Sequence, residues 1–309
     1  MTSIYSNGKL LLTGEYLVID GAKALALPTT FGQSLEINTI NETTLIWESY
    51  LKDGTKWLQV EFDLPTLKII SATFDSNVDG GNDILAENLL HILLEAKKLN
   101  SSFLSEEKGF SAKSTLTFPR NWGLGSSSTL INNIAHWAGV DAFKLLFKTF
   151  GGSGYDIACA QNNQAIIYSL IENKPRVEKV HFNPVFKDNL YFVHLNKKQN
   201  SREGIAQYQK NKNDLNNNVK QISDLTNEII TCKDLISFEK IIKEHEQIIS
   251  GIIKQKPVQA ALFSDYFGHT KSLGAWGGDF ILATGNEDTP NYFKEKGFKT
   301  VISYEGMIL

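Results

Sequence analysis

Cysteine and long apolar runs are scarce in this sequence, and their scarcity excludes several classes of protein. Only Cys159 and Cys232 occur among 309 residues. They lie too far apart to form a metal-ligand pair, so a reducing compartment fits, although a single disulfide stays open. No stretch approaches the ~18 consecutive apolar residues of a membrane helix. The early apolar run at residues 10–12 is soon followed by Glu15 and is not typical of a secretory signal. We therefore expect a cytoplasmic protein with no membrane partner.

An excess of charge of one sign is also missing. The chain has 31 Lys and Arg against 34 Asp and Glu, a formal net charge of -3. This balance indicates no nucleic-acid partner and no anionic membrane surface. Hydrophobic residues make up 42% and charged residues 21%, which is typical of a folded globular protein and excludes disorder as the dominant state. The length predicts about two domains.

The hydrophobic pattern predicts an α+β protein with segregated strands and helices. A strand is expected over residues 16–19, and Asp53-Gly54 predicts a hairpin between residues 43–50 and 56–62. Apolar residues at helical spacing predict a helix over residues 83–99. Two longer helical patterns cover residues 202–232 and 235–254, and strands are also expected over residues 9–13, 24–27, 111–118, 190–195, 279–284 and 300–303.

The most informative segment is the loop at residues 119–129, which lies between a predicted strand and a predicted helix. A helix N-terminus exposes unpaired N–H groups and the positive end of the helix dipole. Gly123 and Gly125 allow an anionic group to approach the backbone, and three serines follow. Together they predict a phosphate site; the alternative is an N-cap for a buried helix. The loop matches neither the Walker nor the dinucleotide-binding pattern.

Two further glycine clusters lie at residues 151–156 and 274–279. The first places Asp156 directly after a flexible loop, and the second precedes an apolar strand. Each cluster alone is usually only a turn. Three such loops in one chain, together with Gly8-Lys9 at the first strand, favour a ligand site.

With these loops in this order, the sequence resembles the GHMP kinase superfamily of galactokinase, homoserine kinase, mevalonate kinase and phosphomevalonate kinase. Residues 6–18 resemble the first family motif, residues 123–128 the second and residues 271–279 the third. Residues 153–156 resemble the segment that carries the catalytic Asp. The mevalonate kinase and phosphomevalonate kinase branch is the most similar, and the glycine clusters are most like those of phosphomevalonate kinases.

The resemblance implies a two-domain GHMP kinase fold. The N-terminal ATP-binding domain, residues 1–182, would be an α/β domain of the ribosomal protein S5 domain 2-like type. The C-terminal domain, residues 183–309, would be a ferredoxin-like α+β domain. The implied activity is ATP-dependent phosphorylation of a small molecule with Mg²⁺, and the implied acceptor is phosphomevalonate or mevalonate in the mevalonate pathway of isoprenoid biosynthesis.

The same resemblance implies the site residues. Asp156 would be the catalytic base and Lys9 would neutralise developing charge, while Ser127 would contact the metal. The expected ATP contacts are Gly123, Leu124, Gly125, Ser126, Ser127 and Ser128. The expected acceptor contacts are Glu15, Ser153, Gly154, Gly274, Ala275, Gly277 and Gly278.

Departures from the family pattern leave alternatives open. Asn7 and Trp276 replace a usual Pro and Gly, and Leu145 stands where mevalonate kinases carry a magnesium-binding Glu. The alternatives are a kinase for another small acceptor, a diphosphomevalonate decarboxylase-like enzyme, or a non-catalytic ligand-binding or regulatory member. Glu15 has either a structural role or a contact with substrate or Lys9, and Trp122 either flanks the adenine or packs in the core. A homodimer is also left open.

Overall fold

The computed structural model describes residues 1–75, 83–105, 108–197, 201–212 and 215–309. Three short 3-10 helices cover Leu17–Asp20, Arg120–Trp122 and Lys187–Asn189. The strands are β1 (Thr2–Leu11), β2 (Ala24–Ile40), β3 (Thr44–Tyr50), β4 (Lys56–Asp63), β5 (Ile69–Phe74), β6 (Gly109–Leu116), β7 (Ile166–Ile171), β8 (Lys174–Lys179), β9 (Leu190–His194), β10 (Thr270–Ser272), β11 (Phe280–Thr284) and β12 (Val301–Ser303). The helices are α1 (Asp83–Leu99), α2 (Ser126–Ala138), α3 (Ala142–Thr149), α4 (Tyr155–Ala160), α5 (Ser201–Asn211), α6 (Asn216–Thr231), α7 (Leu235–Ile253), α8 (Val258–Leu262), α9 (Thr289–Glu295) and α10 (Tyr304–Met307).

The chain divides into two compact units that alternate along the sequence. The first unit comprises Met1–Gly8, Phe31–Arg120 and Gly125–Gln161, and the second comprises Lys9–Thr30, Asn121–Leu124 and Asn162–Leu309. The expected boundary between residues 182 and 183 does not coincide with this division, because β1 and β2 each run from one unit into the other. The sequence-based domain limits stay a prediction.

The first unit is a sheet covered by helices. Its strand order is β5-β4-β3-β6-β2, with β3 parallel to β6 and the other neighbours antiparallel. The predicted hairpin is confirmed: Gly54, at a φ of 85°, turns the chain between β3 and β4. Alternate residues of β3 are buried, as expected for a strand with one face on a core. That core includes Trp47, Phe62, Ile92 and Leu145.

The second unit contains the start of β2, which pairs with β7, and β8 beyond it. It also contains an antiparallel sheet of order β10-β11-β9-β12. Buried residues of α6 and α7, such as Ile222 and Ile249, pack with Tyr16 and Trp276. Tyr16 of the turn at residues 14–16 and Trp276 of the glycine loop at residues 273–278 are therefore parts of this unit's core.

The structure confirms the α+β class and the helix over Asp83–Leu99, but the strand expected at residues 16–19 is wrong. There the backbone turns at Gly14 and Tyr16, both with positive φ, and a 3-10 helix follows. The long helical pattern at residues 202–232 is two helices, α5 and α6, and residues 213 and 214 between them lie outside the described residues. Helix α6 begins at the run Asn216-Asn217-Asn218. Among the described residues, no helix is both long and apolar enough to cross a membrane.

Candidate active site

The serine-rich end of the loop at residues 119–129 forms the start of α2 in the first unit. The N-cap is Gly125, whose φ of 90° is easily adopted only by a residue without a Cβ. Ser127 is exposed, Ser126 is half-buried and Ser128 is buried. Since Gly125 has no side chain, it cannot cap the first-turn N–H groups, and these groups favour an anion at this position.

Asp156 lies beside the first turn of α2. Gly154, at a φ of 91°, precedes α4, and Asp156 is in the first turn of that helix. The Ser128 hydroxyl donates a short hydrogen bond to Asp156 Oδ2, and the Ile157 N–H donates to Oδ1 at 3.1 Å. The half-buried carboxylate is thus held by its own helix and by α2. Two segments predicted from separate motifs, the serine loop and the Asp segment, are in direct contact.

A cavity of about 100 Å³ in the first unit is lined by Ser126 and Ser127. Trp57 and Arg120 also line it, with the guanidinium 3.9 Å from the centre of the indole ring. The buried Trp57 Nε1 has no hydrogen-bond partner among the described residues. An aromatic wall with an unmatched N–H donor suits a flat heteroaromatic ligand. Neither Trp57 nor Arg120 was assigned from the sequence, where a lone tryptophan in a strand has no distinguishing signal.

The first half of the same loop belongs to the second unit, where Lys9 contacts it. Lys9 Nζ donates to the Gly123 carbonyl at 2.8 Å, and the Lys9 N–H donates to the Leu124 carbonyl at 3.0 Å. Gly123 has a φ of 67°, and a Cβ at this position would overlap the Asp279 carboxylate. Only glycine fits here for both reasons. Lys9 and Asp279 therefore help to set the path of the loop.

Trp122 is half-buried and packs against other side chains of the second unit. Its ring meets Phe280 edge to face at 5.4 Å, and His194 Nε2 lies 3.1 Å from the Asn121 carbonyl. Of the two alternatives considered for Trp122, these contacts favour packing over a position beside an adenine.

Glu15 is fully buried in the second unit. Its carboxylate accepts a short hydrogen bond from the equally buried Lys271, at the start of the third-motif segment. Burial raises the pKa of Glu15, and the Lys271 charge opposes that rise. This pairing favours the structural role over a contact with substrate. Trp276, which replaces a glycine of the family pattern, is buried, and its backbone N–H donates to the Tyr16 hydroxyl at 3.2 Å.

The remaining predicted acceptor contacts lie on loops of different units. Ser153 and Gly154 precede α4 in the first unit and are buried. The loop at residues 273–278 lies in the second unit; its members Gly274 and Gly277 have positive φ. The predicted roles of these residues stay predictions.

Protein ligands for a metal are few. Among the described residues, no group of three His, Cys, Asp or Glu side chains could hold a metal ion. Leu145, at the position of the family's magnesium-binding Glu, lies in the hydrophobic core. Ser127 and Asp156 supply oxygen donors, which suit Mg²⁺, an ion that usually keeps several waters and takes one or two carboxylates plus phosphates. Magnesium held mainly by phosphates therefore fits these residues.

Comparison with known proteins gives a clear result only at the level of structure. No family model and no curated protein matches the sequence. A mevalonate kinase structure is similar with a TM-score of 0.70 and 18% identity over 97% of each chain. The Methanococcus jannaschii mevalonate kinase has a TM-score of 0.66 and 18% identity, over 96% of this chain and 94% of that one. The Streptococcus pneumoniae phosphomevalonate kinase, in complex with phosphomevalonate and AMPPNP, has a TM-score of 0.67 and 16% identity, over 100% of this chain and 98% of that one.

The chain has the GHMP kinase fold. The fold expected from the three motifs is thereby confirmed. In this GHMP kinase fold, the segments that resemble the second motif and the catalytic Asp segment meet at Ser128 and Asp156. The segments that resemble the first and third motifs meet at Glu15 and Lys271.

Proposed function

We propose that the chain is an ATP- and Mg²⁺-dependent small-molecule kinase whose acceptor is phosphomevalonate or mevalonate, with phosphomevalonate preferred. The observation that carries this proposal is the contact of Asp156 with Ser128 in the first turn of α2, beside a cavity that Ser126 and Ser127 line. A carboxylate, an anion-binding helix start and a pocket with an aromatic wall then belong to one unit. This combination suits phosphoryl transfer, which depends on positioning and on electrostatic stabilisation.

The nucleotide would bind along the loop and in the cavity. The backbone at Gly123, Leu124 and Gly125 and the three following serines would hold the phosphates. Trp57 would lie at the edge of the base and donate its Nε1 hydrogen to a ring nitrogen. Ser127 would be the protein contact of the magnesium ion. When bound, the ion neutralises charge on the transferred phosphoryl group.

Lys9 and Asp156 would act on the acceptor side of the reaction. Asp156 would orient the acceptor oxygen and take its proton if that oxygen is a hydroxyl. Lys9 would stabilise the negative charge that develops during transfer. The loops at residues 153–154 and 274–278 would contact the acceptor.

The sequence supports phosphomevalonate as the acceptor, because its glycine clusters resemble those of phosphomevalonate kinases. The similar structures include a phosphomevalonate kinase with phosphomevalonate bound and a mevalonate kinase with R-mevalonate bound, and they support the two acceptors equally. The cytoplasmic location expected from the sequence is part of the same proposal.

The test is a coupled ADP-release assay over a panel of acceptors: phosphomevalonate, mevalonate, diphosphomevalonate, galactose and homoserine. We expect ADP release that requires phosphomevalonate and Mg²⁺, with a reaction lacking acceptor as the background. Preferred turnover of galactose or homoserine would move the acceptor outside the mevalonate branch. Carbon dioxide released from diphosphomevalonate would favour the decarboxylase, and ATP binding without turnover of any acceptor would favour a regulatory protein.

A further inference from the structure

A lysine of the second unit is buried without any access to solvent. Lys271, in β10, has a side chain that is 0% exposed, as does its partner Glu15. Its ammonium group donates to the Glu15 carboxylate and, at 2.9 Å, to the Ser272 carbonyl. A buried charge of this kind is strongly unfavourable unless it is paired, so the geometry of Lys271 depends on Glu15.

Helix α7 brings two consecutive side chains to the same place. His245 Nε2 accepts the Gly14 N–H at 3.0 Å and lies 3.3 Å from Glu15 Oε2. Glu246 Oε1 accepts the Ser272 N–H at 3.0 Å. His245 therefore binds the turn at residues 14–16, and the next residue of α7, Glu246, binds β10.

Only one negative charge is needed to balance Lys271. His245 accepts a hydrogen bond at Nε2, so that nitrogen carries no proton, and burial keeps the pKa of the ring well below its usual value. Glu246 Oε2 has no donor among the described residues, and burial raises the pKa of this carboxyl to about 8, with Lys271 opposing the rise. A pKa of about 8 keeps Glu246 largely uncharged near neutral pH, which leaves Glu15 as the carboxylate paired with Lys271.

The two segments joined by this cluster are both conformationally restricted. Gly14 and Tyr16 have φ of 86° and 62°, and Gly274 and Gly277 of the other segment also have positive φ. A second contact between the two segments is the hydrogen bond from the Trp276 backbone N–H to the Tyr16 hydroxyl. A non-glycine residue in this conformation, such as Tyr16, persists only where its surroundings hold it.

We propose that Lys271 is a positioning residue that fixes the turn at residues 14–16 against the loop at residues 273–278, and that this arrangement requires an uncharged Glu246. Ionisation of Glu246 places a second carboxylate beside Glu15 with a single cation to balance both, and the two segments separate. This inference rests on the proposed function only for its kinetic consequence, which is a loss of turnover at alkaline pH.

The first test measures amide hydrogen exchange in peptides that cover residues 14–16 and 273–278. Lys271→Met and Glu15→Gln each leave one buried group unmatched, and we expect exchange in both segments to rise by roughly a hundredfold. The double variant removes both groups and should recover most of the protection. Lys220→Met, which breaks an exposed pair with Asp224 in the same unit, is the control and should change neither segment. The proposal would be overturned if exchange is unchanged in the single variants. It would also be overturned if both segments of the double variant exchange as fast as in either single variant.

The second test uses Glu246→Gln, which keeps the acceptor for Ser272 and cannot ionise. After correction for the intrinsic pH dependence of exchange, wild-type protection of both segments should fall as the pH passes about 8 and should stay level in the variant. An equal fall in both proteins would overturn the proposal. If the wild type transfers no phosphoryl group, the proposed function fails while the exchange result still decides this inference. If it is active, the alkaline limb of kcat should be lost in Glu246→Gln while the KM for ATP is unaltered.

Discussion

Lys9 and Asp156 carry different tasks in the proposed reaction, and the acceptor decides which task limits the rate. A hydroxyl acceptor must lose a proton, and a positioned base contributes about 10²–10⁴-fold to such a step. A phosphate acceptor is already largely ionised near neutral pH. With phosphomevalonate, we therefore expect Lys9→Met to lower kcat more than Asp156→Asn does, measured by ADP release.

Both variants must first be shown to fold, by circular dichroism and thermal melting, because Asp156 accepts hydrogen bonds from Ser128 and Ile157. Robust turnover of mevalonate that Asp156→Asn abolishes would contradict the phosphate acceptor. That result would favour mevalonate as the acceptor instead.

Ser127 is the exposed hydroxyl of the three serines at the start of α2, and it is the proposed metal contact. Ser127→Ala should leave the fold intact, since this side chain is exposed. The loss of one ligand should cost about 1–3 kcal/mol of binding, seen as a higher magnesium requirement for turnover. Ser105→Ala, another exposed serine of the first unit, is the matched control. Identical magnesium titrations for wild type and Ser127→Ala would contradict a metal contact.

At the scale of elements, the start of α2 and the cavity beside it should respond to nucleotide together. Saturating MgATP should raise the thermal midpoint, since a ligand at a hundredfold excess over its Kd stabilises the native state by about 2.7 kcal/mol. A differential scanning measurement with and without MgATP tests this, with magnesium alone as the control. An unmoved melting curve would contradict the phosphate site.

Two tryptophans of the cavity offer a matched pair of variants. Trp57 Nε1 has no partner among the described residues, whereas Trp47 Nε1 donates to Ser49 Oγ at 3.0 Å. Trp57→Phe should weaken ATP binding by roughly tenfold, because it removes the donor meant for the ligand, and it should lower stability less than Trp47→Phe does, because Trp57 is only partly buried. Trp47→Phe should lower stability, because it leaves the buried Ser49 hydroxyl without this donor. Calorimetric affinities and thermal midpoints separate the two effects. An unaltered ATP affinity of Trp57→Phe would show that the indole N–H does not contact the nucleotide.

Elements with strong local signals were predictable. The Asp53-Gly54 hairpin and the helix over Asp83–Leu99 formed as expected, because turn chemistry and helical periodicity depend on neighbours in the sequence. The strand expected at residues 16–19 did not form, because the conformation there depends on residues that are distant in sequence. Its apolar run suited a strand, but the positive φ of Tyr16 is imposed by contacts with Trp276 and Tyr208, which are distant in sequence.

For the whole molecule, the buried cluster around Lys271 predicts how stability depends on pH. The folded-state pKa of Glu246 is raised from 4.5 to about 8, so its contribution is complete below the unfolded value and is lost as the pH rises through the folded one. The lowered pKa of His245 acts in the opposite direction below its ordinary value of 6.5. Between about pH 6.5 and 8, Glu246 therefore lowers the free energy of unfolding as pH rises, by at most about 1.4 kcal/mol per unit.

Urea denaturation of wild type and Glu246→Gln across this range tests the prediction. The difference in unfolding free energy between the variant and the wild type should grow with pH up to about 8 and then stay constant. The contribution of His245 cancels in that difference. A difference that does not change with pH would show that Glu246 is already ionised in the folded protein.

In the candidate site, as in the fold, some residues could be predicted from the sequence and others could not. The glycine loops, Lys9 and Asp156 could be named from the sequence, because each lies in a short segment of characteristic composition. The cavity residues Trp57 and Arg120 could not, nor could His245 and Glu246, which sit in an ordinary amphipathic helix. No local pattern separates them from residues that only pack.

The sequence by itself determined the α+β class, the principal turns and helices, and the order of the glycine-rich segments. Only the tertiary structure decided that Ser128 meets Asp156, that Lys271 meets Glu15, and that a buried Glu246 lies beside that pair. Turns and helices follow from interactions over a few residues. The contact of residues 15 and 271 follows from packing across the second unit, where burial, and not sequence proximity, sets which charges must be matched.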